Sequence, residues 1–290
     1  MTDSDPQRIL DTLLDRCDEL HTPCGDGRLV WRSWNSSESQ HPPLVMLHGG
    51  SGAWNHWVRT IPALEPHFQV IAPDLPGCGD SADPPAPCDA ASLAALLSDG
   101  LDSVVADEAP FHIVAFSFGG LLSGLIAHAQ ARRILSLTIV GSPILGLNRA
   151  GPANDLTFVP PDLPPQEAAP IYRRNLQKLM VRDPAAVDDL AMTLHMTNMG
   201  KVRLRSRSIA RARPMAETLR DLPCPLNYIF GDGDVTLYPD LAGIRAHVKQ
   251  THPDVAFHVI PDSGHWVQYE SPEAFNSLLI KLLTTGKAHC

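Results

Sequence analysis

The sequence predicts a doubly wound α/β fold, a mostly parallel sheet with helices on both faces, and three observations carry the prediction. Short apolar runs alternate along the chain with longer segments of helical periodicity. The later apolar runs end in glycine-rich or acidic turns, where a sheet of this kind gathers its functional loops. One turn, Phe116-Ser117-Phe118-Gly119-Gly120, joins an apolar run directly to a helix-like one. With 290 residues, 44% of them hydrophobic, one large domain with an insertion is more natural than two independent domains.

Taken in order, the first twenty or so residues alternate charged and leucine positions and predict an amphipathic helix laid on the body. Strands follow over 29–34, 44–47, 70–73, 111–116 and 135–140, with a leucine-periodic helix over 91–105. Two more strands are predicted over 226–230 and 255–260, and a helix-like run over 271–283 closes the pattern. Between Gly141 and Leu226 lie about eighty residues of different texture. They begin proline-rich (Pro152, Pro160, Pro161, Pro164, Pro165, Pro170), continue as helix-compatible runs over 171–181 and 184–199, and end at Pro214. An insert over the strand ends is where such a fold builds a pocket and excludes water. The expected division is a core of 1–143 and 223–290 with a helical lid of 144–222.

A net charge of −9 argues against general nucleic-acid binding and against anionic membrane surfaces. The N-terminal residues lack a basic start followed by an apolar core, and no uncharged apolar run is long enough to span a bilayer, so the expectation is a cytoplasmic protein. Six cysteines (Cys17, Cys24, Cys78, Cys88, Cys224, Cys290) lack C-x-x-C or Cys/His metal spacing and read as reduced thiols. No metal or organic cofactor is expected. Oligomeric state is left open, a homodimer included.

The chemistry begins at Ser117. An apolar strand ending in a serine, with two glycines at the second and third positions after it and then an apolar helix, has the shape of a nucleophile elbow, with Ala115 where the usual G-x-S-x-G pattern has its first glycine. A small side chain is what that position requires, and alanine meets it. Upstream, the strand over 44–47 runs into His48-Gly49-Gly50-Ser51-Gly52, whose open backbone lets the Gly50 N–H join that of Phe118 as an oxyanion hole. Downstream, the strand over 226–230 ends in Gly231-Asp232-Gly233-Asp234, so either carboxylate could orient a histidine. The next strand leads into Pro261-Asp262-Ser263-Gly264-His265-Trp266, placing one of thirteen histidines on a tight loop at a strand end. The chain order is Ser, Asp, His.

With that order and those turns, the chain resembles the α/β-hydrolase superfamily from about residue 29 to the C-terminal helix. The resemblance implies an α/β-hydrolase fold with a helical lid and a triad of Ser117, Asp234 and His265. The acid falls on Asp234 because family members often carry G-x-x-D there, matched by Gly231 and Asp234, with Asp232 as understudy. Some relatives place the acid one strand earlier, but Gly141-Ser142-Pro143 offers no carboxylate. Candidate substrate-binding residues are Gly49, Ser51, Trp54, Phe116, His195 and Trp266. The aromatic ones surround the site loops, and His195 shares a face of a predicted lid helix with Asn198. The cation-dense run 201–213 reads as a solvated face, or as the source of one inward arginine for a substrate carboxylate.

Within the superfamily, Gly264-His265-Trp266-Val267-Gln268-Tyr269-Glu270, the His-Gly-Gly opening and Arg174-Asn175-Leu176-Gln177-Lys178-Leu179-Met180 look like the meta-cleavage-product hydrolases, which split carbon–carbon bonds. That group usually has asparagine before the nucleophile, where this chain has Phe116, and a lid arginine near the position of His195. Hydrolysis of carboxylic esters of hydrophobic or aromatic small molecules is therefore ranked first and carbon–carbon hydrolysis second. A ligand-binding module that retains the fold is the non-enzymatic alternative.

Overall fold

The computed structural model describes residues 5–35, 39, 41–106, 108–142, 155–160, 162–212, 215–237 and 240–285. Expectations that fall on Pro143, Pro152, Pro161, Arg213, Pro214 and Cys290, and the boundary between residues 143 and 144, lie outside the described residues.

Eight strands form one sheet: β1 (Asp18–Cys24), β2 (Gly27–Trp34), β3 (His41–Leu47), β4 (Phe68–Pro73), β5 (Phe111–Phe116), β6 (Ile134–Val140), β7 (Leu226–Gly231) and β8 (Ala256–Ile260). Their order is β1-β2-β4-β3-β5-β6-β7-β8. The β1–β2 and β2–β4 pairings are antiparallel and all the others are parallel. Parallel central strands covered on both faces must be apolar throughout, and every position of β5 is buried. Alternate residues feed opposite cores. Ile113 and Ala115 face the leucines of α3 (Ala90–Val104) and α4 (Phe118–Ala129), whereas Val114 and Phe116 join Trp57, Phe275 and Leu279 on the other side.

The N-terminal expectation needs correction. Helix α1 (Pro6–Leu14) stops short and β1 takes over at Asp18. The helix is held to the body by Leu10 and Leu13 and by the Trp34 indole, which donates to the Leu13 carbonyl at 2.9 Å. Strand β1 has no apolar run of its own. It forms because β2 offers a partner across a tight turn whose Gly25 adopts φ +56°, burying Thr22 and Cys24.

The helices α2 (Ile61–Leu64), α9 (Leu241–Thr251), α10 (Val267–Glu270) and α11 (Pro272–Thr285) belong to the sheet's flanking layers. Between β6 and β7 lie α5 (Pro165–Leu179), α6 (Asp189–Lys201), α7 (Ser206–Ala212) and α8 (Met215–Thr218). Helix α5 starts ahead of the predicted residue 171, since Pro165 occupies the first turn, where a missing N–H costs nothing. The predicted run over 184–199 divides into a short 3-10 turn, Pro184–Ala186, and α6, whose cap Asp188 accepts from the Ala191 N–H at 2.8 Å.

Because β3, β5, β7 and β8 run in parallel, the loops after them gather at one edge of the sheet, and they carry Gly49–Gly50, Ser117, Asp234 and His265. Among the described residues no helix is long and apolar enough to cross a membrane, and no group of three His, Cys, Asp or Glu is placed to hold a metal ion. The described cysteines Cys17, Cys24, Cys78, Cys88 and Cys224 are free thiols.

Candidate active site

Strand β5 ends at Phe116 and α4 begins at Phe118, so Ser117 alone makes the reversal, at φ 50° and ψ −115°. This left-handed conformation is costly for a side-chain-bearing residue and is held by surrounding bonds. The Ser117 N–H donates to the Val140 carbonyl at 2.9 Å, and the Ser117 carbonyl accepts from the Ser142 hydroxyl at 2.6 Å. Helix α4 approaches β3 so closely that a methyl group at Gly119 would lie 2.8 Å from the carbonyl oxygens of Leu47 and His48. That close approach is why the second residue after the serine is glycine. Ala115, fully buried in the strand, is accommodated at the pattern's first position.

His265 Nε2 lies 3.0 Å from Ser117 Oγ, and His265 Nδ1 lies 2.9 Å from Asp234 Oδ2. Both His265 and Asp234 are buried. The other carboxylate oxygen of Asp234 accepts from the Thr236 backbone N–H at 2.8 Å and its hydroxyl at 2.7 Å, which fixes the carboxylate plane. The understudy Asp232 has a different place: it accepts from Arg182 Nη1 at 2.6 Å and from the Ser263 N–H at 3.3 Å. The loop bearing His265 is tied down by Glu270, whose carboxylate accepts from the backbone N–H groups of Gly264 at 2.6 Å, Arg182 at 3.0 Å and Asp183 at 2.7 Å.

The turn after β3 is organised by two buried histidines. The Leu75 N–H donates to His48 Nε2 at 2.8 Å, so His48 Nδ1 carries the proton and donates to the Gly49 carbonyl at 2.7 Å. His56, on the 3-10 turn Trp54–Trp57, accepts the Gly49 N–H at Nδ1 over 3.3 Å. Burial lowers the pKa of His48, and burial followed by the neighbouring histidines lowers that of His56 well below the ordinary value. Both rings are therefore neutral acceptors near neutral pH. Gly50 and Phe118 border the same cavity as Ser117. Phe118 is the first residue of α4, so its N–H has no acceptor within the helix.

That cavity measures about 450 Å³. Its floor includes Ser117 and His265, and its far wall is built by α5, α6 and α7 with Leu176, Leu179, Met199 and Ala210 among its apolar members. Of the sequence-derived binding candidates, Ser51, Phe116 and His195 line it, and His195 also meets Tyr172 edge-to-face at 5.1 Å. Burial lowers the His195 pKa to about 4.

Gly49, Trp54 and Trp266, also named as binding candidates, are not among the residues that line the cavity. The Phe116 ring covers Gly49, so that a methyl group there would lie 2.8 Å from it. Trp54 packs on Trp34 with centroids 5.5 Å apart, and its backbone N–H donates to Asp74 Oδ1 at 2.8 Å. Trp266 stacks on Tyr269 at 4.1 Å and its indole N–H donates to the His56 carbonyl at 3.1 Å. Asn198 is buried in a reciprocal pair with Asn55.

In the cationic run, Lys201 pairs with Asp80 at 2.6 Å and Arg203 with Asp83, while Arg207 lines the cavity. Sequence reasoning missed His56, Thr236 and Ser206, all of which also line it. Thr236 follows the acid by two residues, a short-range signal that was available. His56 and Ser206 carry no local signal, because their roles depend on how separate segments meet.

The sequence matches the Alpha/beta hydrolase family over residues 44–278, and the chain belongs to that family. It is 30% identical over 253 residues to the dihydrolipoyllysine-residue acetyltransferase component of an acetoin cleaving system from Pseudomonas putida. That match covers 83% of this chain, and the chain spans only 63% of that protein's length. It is 27% identical to a 2-hydroxy-6-oxononadienedioate/2-hydroxy-6-oxononatrienedioate hydrolase from Paraburkholderia phymatum, covering 86% of this chain and 90% of the relative. Among solved structures, carboxylesterase CesB from Bacillus subtilis superposes with a TM-score of 0.75 at 19% identity, covering 97% of this chain and 96% of the other. The fold is shared at that distance.

Proposed function

We propose that this chain is a serine hydrolase that cleaves carboxylic esters of hydrophobic or aromatic small molecules through Ser117, His265 and Asp234. The observation that carries the reading is the unbroken hydrogen-bonded line from Ser117 Oγ through His265 to Asp234, opening on a largely apolar cavity. His265, held by Asp234, takes the proton of Ser117 as the hydroxyl attacks the ester carbonyl. The N–H groups of Gly50 and Phe118 receive the oxyanion. The leaving alkoxide takes the proton from His265, and water, deprotonated by the same ring, releases the acid from Ser117. The helices between β6 and β7 act as the lid that shapes the acyl pocket.

Carbon–carbon hydrolysis is the second reading, favoured by the Paraburkholderia relative's name and coverage. It ranks below ester cleavage because the residue before the nucleophile is the apolar Phe116, with its ring 4.9 Å from that of His265. Initial rates on short and long p-nitrophenyl esters beside a meta-cleavage dienoate, for the wild type and Ser117→Ala, separate the readings. Ester turnover that falls about 10⁴- to 10⁶-fold in Ser117→Ala supports the proposal. Dienoate turnover far above ester turnover reverses the order. No turnover of either, with no labelling at Ser117, leaves a ligand-binding module.

A further inference from the structure

The cavity wall formed by α7 carries a hydroxyl, that of Ser206. Ser206, the first residue of α7, is 7% exposed and lines the cavity, and its hydroxyl is not among the buried side-chain atoms closed off without a partner, so it opens on the cavity. A hydroxyl on the cavity surface is free to bond whatever occupies the cavity, at no cost while water fills it.

Its position identifies that occupant. A methyl group at Gly50 would lie 2.5 Å from Ser206 Oγ and 3.6 Å from the Phe118 β-carbon. The hydroxyl therefore stands over the residues whose N–H groups are assigned to the oxyanion, filling the space that any larger residue at position 50 would claim. A hydroxyl rotates freely about its Cβ–Oγ bond and can aim its proton at an oxygen seated there.

On the reading that Ser117 is an acylating nucleophile, we propose that Ser206 is a catalytic residue. Its Oγ–H donates a third hydrogen bond to the substrate carbonyl oxygen as that oxygen becomes the oxyanion. The carbonyl π electrons move onto the oxygen as the Ser117 Oγ–carbon bond forms, and Ser206 keeps its proton throughout. Because Ser206 lies between β6 and β7, outside the strand ends that carry the rest of the machinery, the full set of donors exists only with α7 seated on the core. Closure of this wall and stabilisation of the transition state are then one event.

The test compares the wild type, Ser206→Ala and Ser117→Ala for kcat and KM on a p-nitrophenyl ester. It adds the affinity of the first two for an aryl trifluoromethyl ketone, which forms a tetrahedral adduct, and for the product acid. Ser206→Ala is expected to lower kcat about ten- to a hundredfold, with KM and product affinity within twofold. Trifluoromethyl ketone affinity should fall in parallel with kcat. Unchanged kcat and adduct affinity in Ser206→Ala, with Ser117→Ala inactive, would overturn the inference while leaving the hydrolase reading intact. A loss of product affinity as large as the loss of kcat would also overturn it, by assigning Ser206 to packing. Full activity in Ser117→Ala would instead remove the hydrolase reading on which the inference rests.

Discussion

Asn55 and Asn198 hold each other through two reciprocal amide bonds, Asn55 Nδ2 to Asn198 Oδ1 at 3.0 Å and Asn198 Nδ2 to Asn55 Oδ1 at 2.8 Å. Both are buried, and they join α6 to the 3-10 turn that carries His56. The pair thus fixes the wall bearing His195 against the turn that positions Gly49. Asn198→Ala leaves the Asn55 amide buried without its partner and should cost about 1–3 kcal/mol in denaturant-induced unfolding. Asn55→Ala should cost as much, and the double variant less than the sum of the two. Strict additivity would show that the amides do not act as a pair.

Strain at Ser117 sets up an opposition between stability and activity. At φ 50° and ψ −115° the residue sits where glycine is favoured and side chains cost about 1–3 kcal/mol. Glycine's extra freedom in the unfolded chain returns about 0.5–1 kcal/mol of that. Ser117→Gly should therefore raise stability by about 1 kcal/mol while removing ester turnover. Thermal and urea unfolding of the variant check it, and a loss of stability would argue against strain at the turn.

Arg207 provides the test of acidic against neutral substrates. Among the described residues that line the cavity it is the one arginine or lysine. A guanidinium there would engage the carboxylate of an acidic ester, so Arg207→Ala should raise KM for a hemi-ester of a dicarboxylic acid about tenfold and leave a neutral ester of equal size within twofold. Arg203→Ala, which removes a side chain paired with Asp83 and absent from the cavity lining, serves as the control. Equal effects on both substrates would place Arg207 outside acyl recognition.

His112, away from the cavity, contributes to the loss of stability in acid. His112 is buried in β5, 2.7 Å from the Ser136 hydroxyl, and burial, with a smaller push from His41, lowers its pKa from 6.5 to about 4. The folded value lies below the unfolded one, so the unfolded chain takes up the proton first as pH falls. The contribution is full above about pH 6.5 and is lost progressively toward pH 4, reaching about 3 kcal/mol for this residue. His112→Gln should lose correspondingly less stability between pH 7 and pH 4 than the wild type. Parallel profiles would contradict this assignment.

The parts of the molecule legible in its sequence are those set by short-range rules. Strand ends meeting tight turns mark Ser117, Asp234 and His265, because a nucleophile, an acid and a base on parallel strands need the same kind of turn. The choice between Asp232 and Asp234 was a matter of family pattern, and its physical basis is that Asp232 is engaged by Arg182 at 2.6 Å. Strand β1 was hidden because an edge strand takes its stability from pairing with β2 and not from an apolar run. Trp54 and Trp266 stand outside the cavity lining because aromatic residues near a site loop pack behind it as readily as in front of it. His56 and Ser206 were invisible because each reaches the cavity from a segment whose approach is set by tertiary packing.

The central claim is that Ser117 is a nucleophile activated by His265, and covalent labelling with a fluorophosphonate, read by intact mass and peptide mapping, tests it most directly. The account predicts one adduct per chain, on Ser117, absent in Ser117→Ala and formed far more slowly in His265→Ala. No adduct on Ser117, or labelling of His265→Ala as fast as the wild type, would contradict it.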